Sequence, residues 1–406
     1  MIWGILAVQR KISKHISLLL LIILVGFPQI SETIYTPSLP DIARHMAASS
    51  NAIQLTLSIY FLGFALGVFC WGRLSDLMGR RPSMLWGIFV YAIGSLGCYW
   101  SSSVEWLMVC RFIQAFGASA GSAVTQTILR ESLDGAKRHA AFAQISAALA
   151  FTPAVGPLLG GWVDQALGFR AVFFTLVLMG VVIWLYAWVR LPETRLEATQ
   201  NVSMLSVAAR LMKDRRVWRF GLLIGAANGI LFSYYAEAPF IYIDFFGMSA
   251  GTFGCLGIFV ALSSIVGAML SRRLLPAIQA ERIITLGCGV STTGALSLAC
   301  LALYGIEATL IDLVLTVSCV FVILLGIGMA LPNCLSMALV DYHDVLGTSG
   351  AMFGLGYYLL VSIITSGMSL IHNGSLLTMP LYFLVLVLSM LLVSLMRRSK
   401  EQQAAT

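Results

Sequence analysis

The chain has 406 residues, 59% of them hydrophobic and only 11% charged, with a formal net charge of +7. Soluble domains carry about a quarter charged residues, so this composition excludes a water-soluble enzyme and makes lipid the solvent for most of the surface. The basic excess does not point to nucleic acid, because the lysines and arginines sit between apolar runs, where membrane topology puts them.

Taken in order, the chain opens on Arg10, Lys11 and Lys14 followed by an apolar run. That pattern resembles a signal peptide, but no small-x-small cleavage site follows. The run leads instead into Phe27-Pro28-Gln29 and Ser31-Glu32-Thr33, which reads as a retained first span. Apolar windows long enough to cross about 30 Å of hydrocarbon lie at 16–37, 51–72, 83–101, 105–129, 138–162, 170–190, 217–239, 250–271, 282–304, 310–333, 347–370 and 378–396. Only helices satisfy their backbone in spans of this length. The expectation is an all-α polytopic membrane protein with twelve transmembrane helices, numbered here as spans one to twelve.

Placing the N-terminus inside puts every one of the 25 lysines and arginines in cytoplasmic segments except Arg44 and Arg170 outside and Arg111 within span four. Both termini are therefore expected on the cytoplasmic side of the membrane. The longest polar stretch, 191–216, divides a six-helix half at 1–190 from another at 217–396, with a cytoplasmic tail at 397–406. It reads as a linker lying partly as an amphipathic helix on the membrane face. Six plus six spans suggest two halves around a central substrate cavity.

Between spans two and three runs Trp71-Gly72-Arg73-Leu74-Ser75-Asp76-Leu77-Met78-Gly79-Arg80-Arg81-Pro82, a charged clasp punctuated by glycines. Gly72 and Gly79 permit close approach and a tight turn, and Asp76 can pair with an arginine or cap a helix. Such a cluster can latch helices in one state and release them in another. A faint echo follows Gly267 in the second half, at Ser271-Arg272-Arg273.

Arg111 reads as the only basic residue buried in a span, and a charge inside a membrane is costly and usually functional. Seven residues below the end of its span it sits roughly 10 Å deep. Glu32 lies at a similar depth in span one, so the two can face each other across the bundle. Glu237, in Tyr234-Tyr235-Ala236-Glu237-Ala238-Pro239, is the other acid near a span interior. A carboxyl taken out of water favours its neutral form, so Glu32 and Glu237 are candidates to carry a proton or meet a cationic substrate. Phe232, Tyr234, Tyr235 and Phe240 form either a substrate wall or an interfacial belt.

Span five reads Phe151-Thr152-Pro153-Ala154-Val155-Gly156-Pro157-Leu158-Leu159-Gly160-Gly161-Trp162. Its prolines should kink the helix, and its glycines should let neighbours pack tightly against it. The eight cysteines all fall in apolar segments without metal-ligand spacing, so they read as packing residues, with no metal site. No Walker lysine motif or nucleophile elbow is present, so the chain reads as no enzyme, and its energy source as an ion gradient.

These residues resemble the major facilitator superfamily. Gly72-Arg73-Leu74-Ser75-Asp76 with Gly79-Arg80-Arg81 resembles its signature between spans two and three. Arg111 with Gln114 and Gly117 resembles the span-four motif, and Gly156-Pro157-Leu158-Leu159-Gly160-Gly161 the span-five pattern of antiporters. Ile34-Tyr35-Thr36-Pro37-Ser38-Leu39-Pro40 is similar to the first-span ending of the bicyclomycin-resistance and chloramphenicol-efflux branch of drug:proton antiporters.

The resemblance implies that Gly72, Arg73, Asp76, Gly79, Arg80 and Arg81 gate the cytoplasmic side. It implies that Arg111 takes part in proton coupling, for which Glu32 and Glu237 stand as the acidic candidates from their burial alone, and that Pro153, Gly156, Pro157, Gly160 and Gly161 restrain leakage. Tyr35, Gln114, Tyr234 and Tyr235 are the candidates to line the cavity. The branch often has an aspartate four residues before the first-span proline, where this chain has Thr33 with the acid next door at Glu32. One residue turns a side chain about 100° around a helix, so the facing of Glu32 is open.

The function expected is export of small drug-like or amphipathic molecules in exchange for protons, by a monomer that needs no cofactor beyond the proton gradient. The alternatives are a dedicated exporter of an endogenous metabolite such as a siderophore, and a non-transporting membrane receptor.

Overall fold

The computed structural model describes residues 17–132, 144–195 and 204–396. The basic cluster at Arg10, Lys11 and Lys14, the start of span five, part of the linker and the tail at 397–406 lie outside the described residues. Among the described residues twelve helices are long and apolar enough to cross a membrane. They are Leu18–His45, Ser50–Met78, Arg80–Trp100, Val104–Leu129, Gln144–Leu167, Phe169–Arg190, Arg215–Phe245, Ala250–Leu274, Ala280–Tyr304, Leu310–Tyr342, Gly347–Ile371 and Thr378–Leu395.

Several helices overrun their apolar windows. Span two continues through the supposed clasp to Met78, and span three begins at Arg80. Gly79, at φ 103°, is the only non-helical residue between them, a backbone conformation that costs glycine nothing. The expected polar loop is therefore mostly helix, because one glycine suffices for the reversal and Asp76 and Arg80 gain an i,i+4 pairing. Span one is interrupted at Thr36–Ser38. Pro37 has no N–H to give the Thr33 carbonyl, and the Thr36 hydroxyl donates to that oxygen instead, at 2.8 Å. Span seven ends in a π-helical turn at Phe240–Phe245, beyond Pro239, whose missing N–H disrupts the regular ladder.

The packing repeats with a shift of six spans. Spans one and four, two and four, three and four, one and five, and three and six pack together, and so do seven and ten, eight and ten, nine and ten, seven and eleven, and nine and twelve. The principal contacts between the two sets join span two to span eleven and span five to span eight. Each of these pairs maps onto the other under the same shift. Spans one, two, four and seven are the most buried, and spans three, six, nine and twelve turn exposed side chains such as Trp86, Phe89, Val182, Val189, Leu303 and Val385 outward. The linker carries the amphipathic helix Met204–Lys213. Its Val207 and Leu211 are buried against Tyr342, Val345, Met352 and Phe353 of the last six spans. The bundle thus has two ends, named below by Arg80 and Arg44.

Candidate functional site

Arg111 is 0% exposed on span four. Its guanidinium lies between the rings of Tyr35 and Tyr60, at 3.9 and 4.2 Å from their centroids, a cation–π sandwich that offsets part of the cost of burial. One terminal nitrogen donates to Gln114 Oε1 at 2.5 Å and to the Ser31 carbonyl at 3.5 Å. Gln114 in turn donates to Ser95 at 2.8 Å, and the Tyr35 hydroxyl meets Thr56 at 3.1 Å. The Nε and Nη2 of Arg111 are buried with no hydrogen-bond acceptor among the described residues. The charge is thus held by ring faces and amide oxygens inside the first six spans, with no carboxylate in contact. A buried charge so incompletely compensated is a strained arrangement.

Glu32 is 5% exposed and makes neither a hydrogen bond nor an ion pair among the described residues. It lies within electrostatic reach of Arg111 and Tyr60 on its own side and of Tyr357 and Tyr358 on span eleven. Its neighbour Thr33 points away, donating to Gln29 and lying against Gly156 of span five. The one-residue offset therefore leaves Glu32 turned to the bundle interior and Thr33 to the helix interface. Around Glu32, rings from three spans meet. Phe61 lies 4.3 Å from Phe232, Phe64 lies 4.7 Å from Tyr358, and Tyr357 lies 4.4 Å from Tyr358. Tyr60, Phe61, Phe64, Tyr357 and Tyr358 were not singled out in the sequence, where nothing distinguishes these rings from the other aromatics of the spans.

The glycines of span five meet two neighbours at close range. A Cβ on Gly160 would collide with the Ile34 backbone, and one on Gly156 with Thr33, both on span one. A Cβ on Gly161 would collide with Ala250 of span eight. Pro157 has no N–H for the Pro153 carbonyl. The Tyr235 hydroxyl of span seven donates to that oxygen at 2.9 Å. Tyr234 meets Tyr235 at a tilt and Tyr242 edge-on, at centroid distances of 5.7 and 6.5 Å, and is buried.

At the Arg80 end, Arg111 proves not to be the only buried basic residue, for Arg80 is also fully buried. Its guanidinium grips Glu131 with two bonds of 2.5 and 2.9 Å and donates to Asp76 at 2.7 Å and Ser75 at 3.3 Å. The backbone N–H groups of Arg80 and Arg81 donate to the Glu193 carboxylate at 2.9 and 3.1 Å, an anion at a helix N-terminus. Arg81 also donates to the Trp188 carbonyl at 2.7 Å. Arg73 is exposed, and a Cβ on Gly72 would stand 3.5 Å from Ala351 of span eleven. Among the described residues the polar bonds of the clasp go to the first six spans and to the start of the linker, at Glu193 and Arg195, while Gly72 on its helix face lies near Ala351 of the last six. Glu131 and Glu193 carry no motif of their own, and the sequence reading did not include them.

At the Arg44 end the two sets of spans meet through polar bonds. Glu237, 2% exposed, accepts from Gln54 of span two at 2.7 Å and meets His372 at 2.8 Å. Its carboxylate is thus held inside the bundle. Arg44 pairs with Asp244 at 2.9 Å, and Gln165 accepts from the Gly251 N–H at 3.1 Å.

A bundle of twelve helices with a repeat of six, a carboxyl and stacked rings between the two sets, and glycine-tight span five leads to comparison with known proteins. The model of the Major Facilitator Superfamily matches residues 21–366. The chain belongs to the major facilitator superfamily. An uncharacterized transporter of Rickettsia felis is 33% identical over 392 residues, covering 93% of this chain and 95% of that one. A chloramphenicol resistance protein of Pseudomonas aeruginosa is 31% identical over 370 residues, covering 90% and 87%. The crystal structure of a D-xylose–proton symporter superposes with a TM-score of 0.72 at 14% identity, covering 91% of this chain and 96% of that chain, a likeness of fold. The protein is thus a multi-pass membrane transporter of this superfamily, akin to its drug-efflux branch and not an enzyme, and the receptor reading falls.

Proposed function

We propose that this transporter exports small drug-like or amphipathic molecules in exchange for protons, by alternate opening of two six-span halves. The observation that carries the reading is Glu32, a carboxyl without a partner, buried between the two sets of spans beside the Arg111 sandwich and among aromatic rings. Ring faces suit flat apolar or cationic molecules. A lone carboxyl suits competition between a proton and a substrate, since either neutralises it. The relative named for chloramphenicol resistance supports drug-like substrates. Basic residues at the Arg80 end support its placement in the cytoplasm, with both termini, in a bacterial inner membrane. There the buried Arg80 network and Gly72 would form the gate, while span five and its glycines limit leakage.

Purified protein in liposomes with an imposed pH gradient tests this. Adding ethidium or chloramphenicol is expected to release protons down the gradient and drive uptake of the compound against its own. Glu32→Gln should lose the proton flux while still binding ligand. Uptake that survives a collapsed gradient, or proton flux unchanged in Glu32→Gln, would overturn the proposal.

A further inference from the structure

The Arg44 end is fastened by a group that combines a titratable pair with bonds between the two sets of spans. Glu237 of span seven and His372, just past span eleven, meet at 2.8 Å, with side chains 3% and 9% exposed. Gln54 of span two donates to the same carboxylate at 2.7 Å, and Asn51, one turn earlier, donates to the carbonyls of Ser369 and His372 at 2.8 Å each. The ring of Phe240 covers the imidazole at a centroid distance of 5.6 Å. If this end opens, spans two and eleven must part, so Gln54 and Asn51 leave, and water reaches the pair.

The surroundings show which charges count. Span two faces the pair with Asn51 and Gln54, both uncharged. The loop after span eleven brings Asn373, Ser375 and Thr378, bonded to one another and uncharged. The short helix closing span one and the π-turn closing span seven bring Asp41, Arg44 and Asp244, and Arg44 engages both acids, Asp244 at 2.9 Å and Asp41 at 4.0 Å. No other ion pair with Glu237 or His372 is present among the described residues. The net charge buried on closing is therefore set by the pair itself.

We infer that His372 is a proton-operated latch residue, and that this end closes best when the Glu237–His372 pair holds one proton more than the bare carboxylate and neutral imidazole. With the imidazolium facing the carboxylate, a neutral pair goes out of water. With a neutral imidazole, a net negative charge must be buried, held by two donors alone, which is the costlier state. Taking up the proton and closing are then linked, and the ratio of closed to open states changes by up to tenfold per pH unit. In an exporter this order couples proton entry from outside to closure of the outer end. The inference rests on the transport reading only for the premise that this end opens.

Ser58 lies one turn inside Gln54, is buried, and has a hydroxyl with no hydrogen-bond partner, so Ser58→Cys is a nearly isosteric reporter. Its labelling by a membrane-impermeant thiol reagent is followed in vesicles from pH 6 to pH 8.5, without substrate or gradient. Rates are taken relative to the same cysteine in denatured protein at each pH and corrected for the eight native cysteines. Tyr304→Cys, 93% exposed at the same end, marks the compartment this end faces.

Labelling of Ser58→Cys is expected to rise steeply from pH 6 to pH 8.5, approaching tenfold per unit, and to be flat when His372→Gln is added. Glu237→Gln should reverse the slope, because the protonated imidazole then brings an uncompensated positive charge. Gln54→Leu keeps the pair but removes the bond across the interface, and should raise labelling at pH 6. An unchanged pH profile in His372→Gln, or the same slope sign in Glu237→Gln, overturns the latch. No labelling at any pH overturns the premise that this end opens, and with it the transport reading.

Discussion

Tyr235→Phe removes one hydroxyl and keeps the ring that packs 6.3 Å from Phe232 and 5.7 Å from Tyr234. The hydroxyl serves the Pro153 carbonyl, which Pro157 leaves without its helical partner. The loss is therefore a hydrogen bond worth about 1 kcal/mol together with the cost of an unpaired buried carbonyl, about 1–3 kcal/mol. Water reaching the site would lower that sum, so a net cost of about 1–2 kcal/mol is expected. Pro157→Ala supplies the missing N–H and lets span five close its own ladder onto the same oxygen. In that background Tyr235→Phe should cost close to nothing, a coupling of about 1 kcal/mol between residues on different spans. The assay is the unfolding free energy of the four proteins of the cycle, from SDS titration of mixed micelles. Costs that add to within about 0.3–0.5 kcal/mol would refute the claim that the tyrosine replaces the proline's missing bond.

Gly160→Ala forces a Cβ into the Ile34 backbone and should cost about 1–3 kcal/mol by overpacking. Gly289→Ala, where nothing lies within 4 Å, should be neutral or raise Tm, since alanine is the better helix former by about 1 kcal/mol; equal Tm shifts would contradict the contact. Arg80→Gln strands Asp76 and Glu131 and should cost about 3 kcal/mol, whereas Arg80→Met with Glu131→Leu should recover most of the lost unfolding midpoint. Arg111→Lys keeps the charge but loses the planar face that two tyrosine rings cover. It should lower proton-coupled transport at least tenfold, measured as flux in liposomes, while far-ultraviolet circular dichroism stays unchanged.

The number of spans and most of their ends were legible, because a run of about twenty apolar residues has one stable form in hydrocarbon. The clasp was misjudged as loop, since charge density was taken for solvent exposure. Its Asp76 and Arg80 lie i,i+4 on either side of a single-glycine turn, and its other partner, Glu131, comes from 51 positions away. Single-sequence patterns carry no such pairing. Arg111 and Glu32 stood out because charge is rare in a span, yet the Tyr60 face around them did not. Lipid and protein interior are equally apolar, so periodicity in these helices gives no sign of which side faces in. His372 lay hidden for another reason. A lone histidine beside a loop has no motif, and only its 2.8 Å contact with Glu237 shows its place.

The anchoring of the linker has a mechanical consequence. Arg195 donates to the Leu77 carbonyl at 2.8 Å, fixing the linker's start to the end of span two, while Val207 and Leu211 of the helix at Met204–Lys213 are buried against the last six spans. Arg195 and Met204 are nine positions apart, and a chain of that length reaches at most about 30 Å. The linker is therefore a short leash. In the transport cycle proposed above it would set an upper stop on the stroke at the Arg80 end, and a lengthened leash would lift that stop without touching any residue in the path of the cargo.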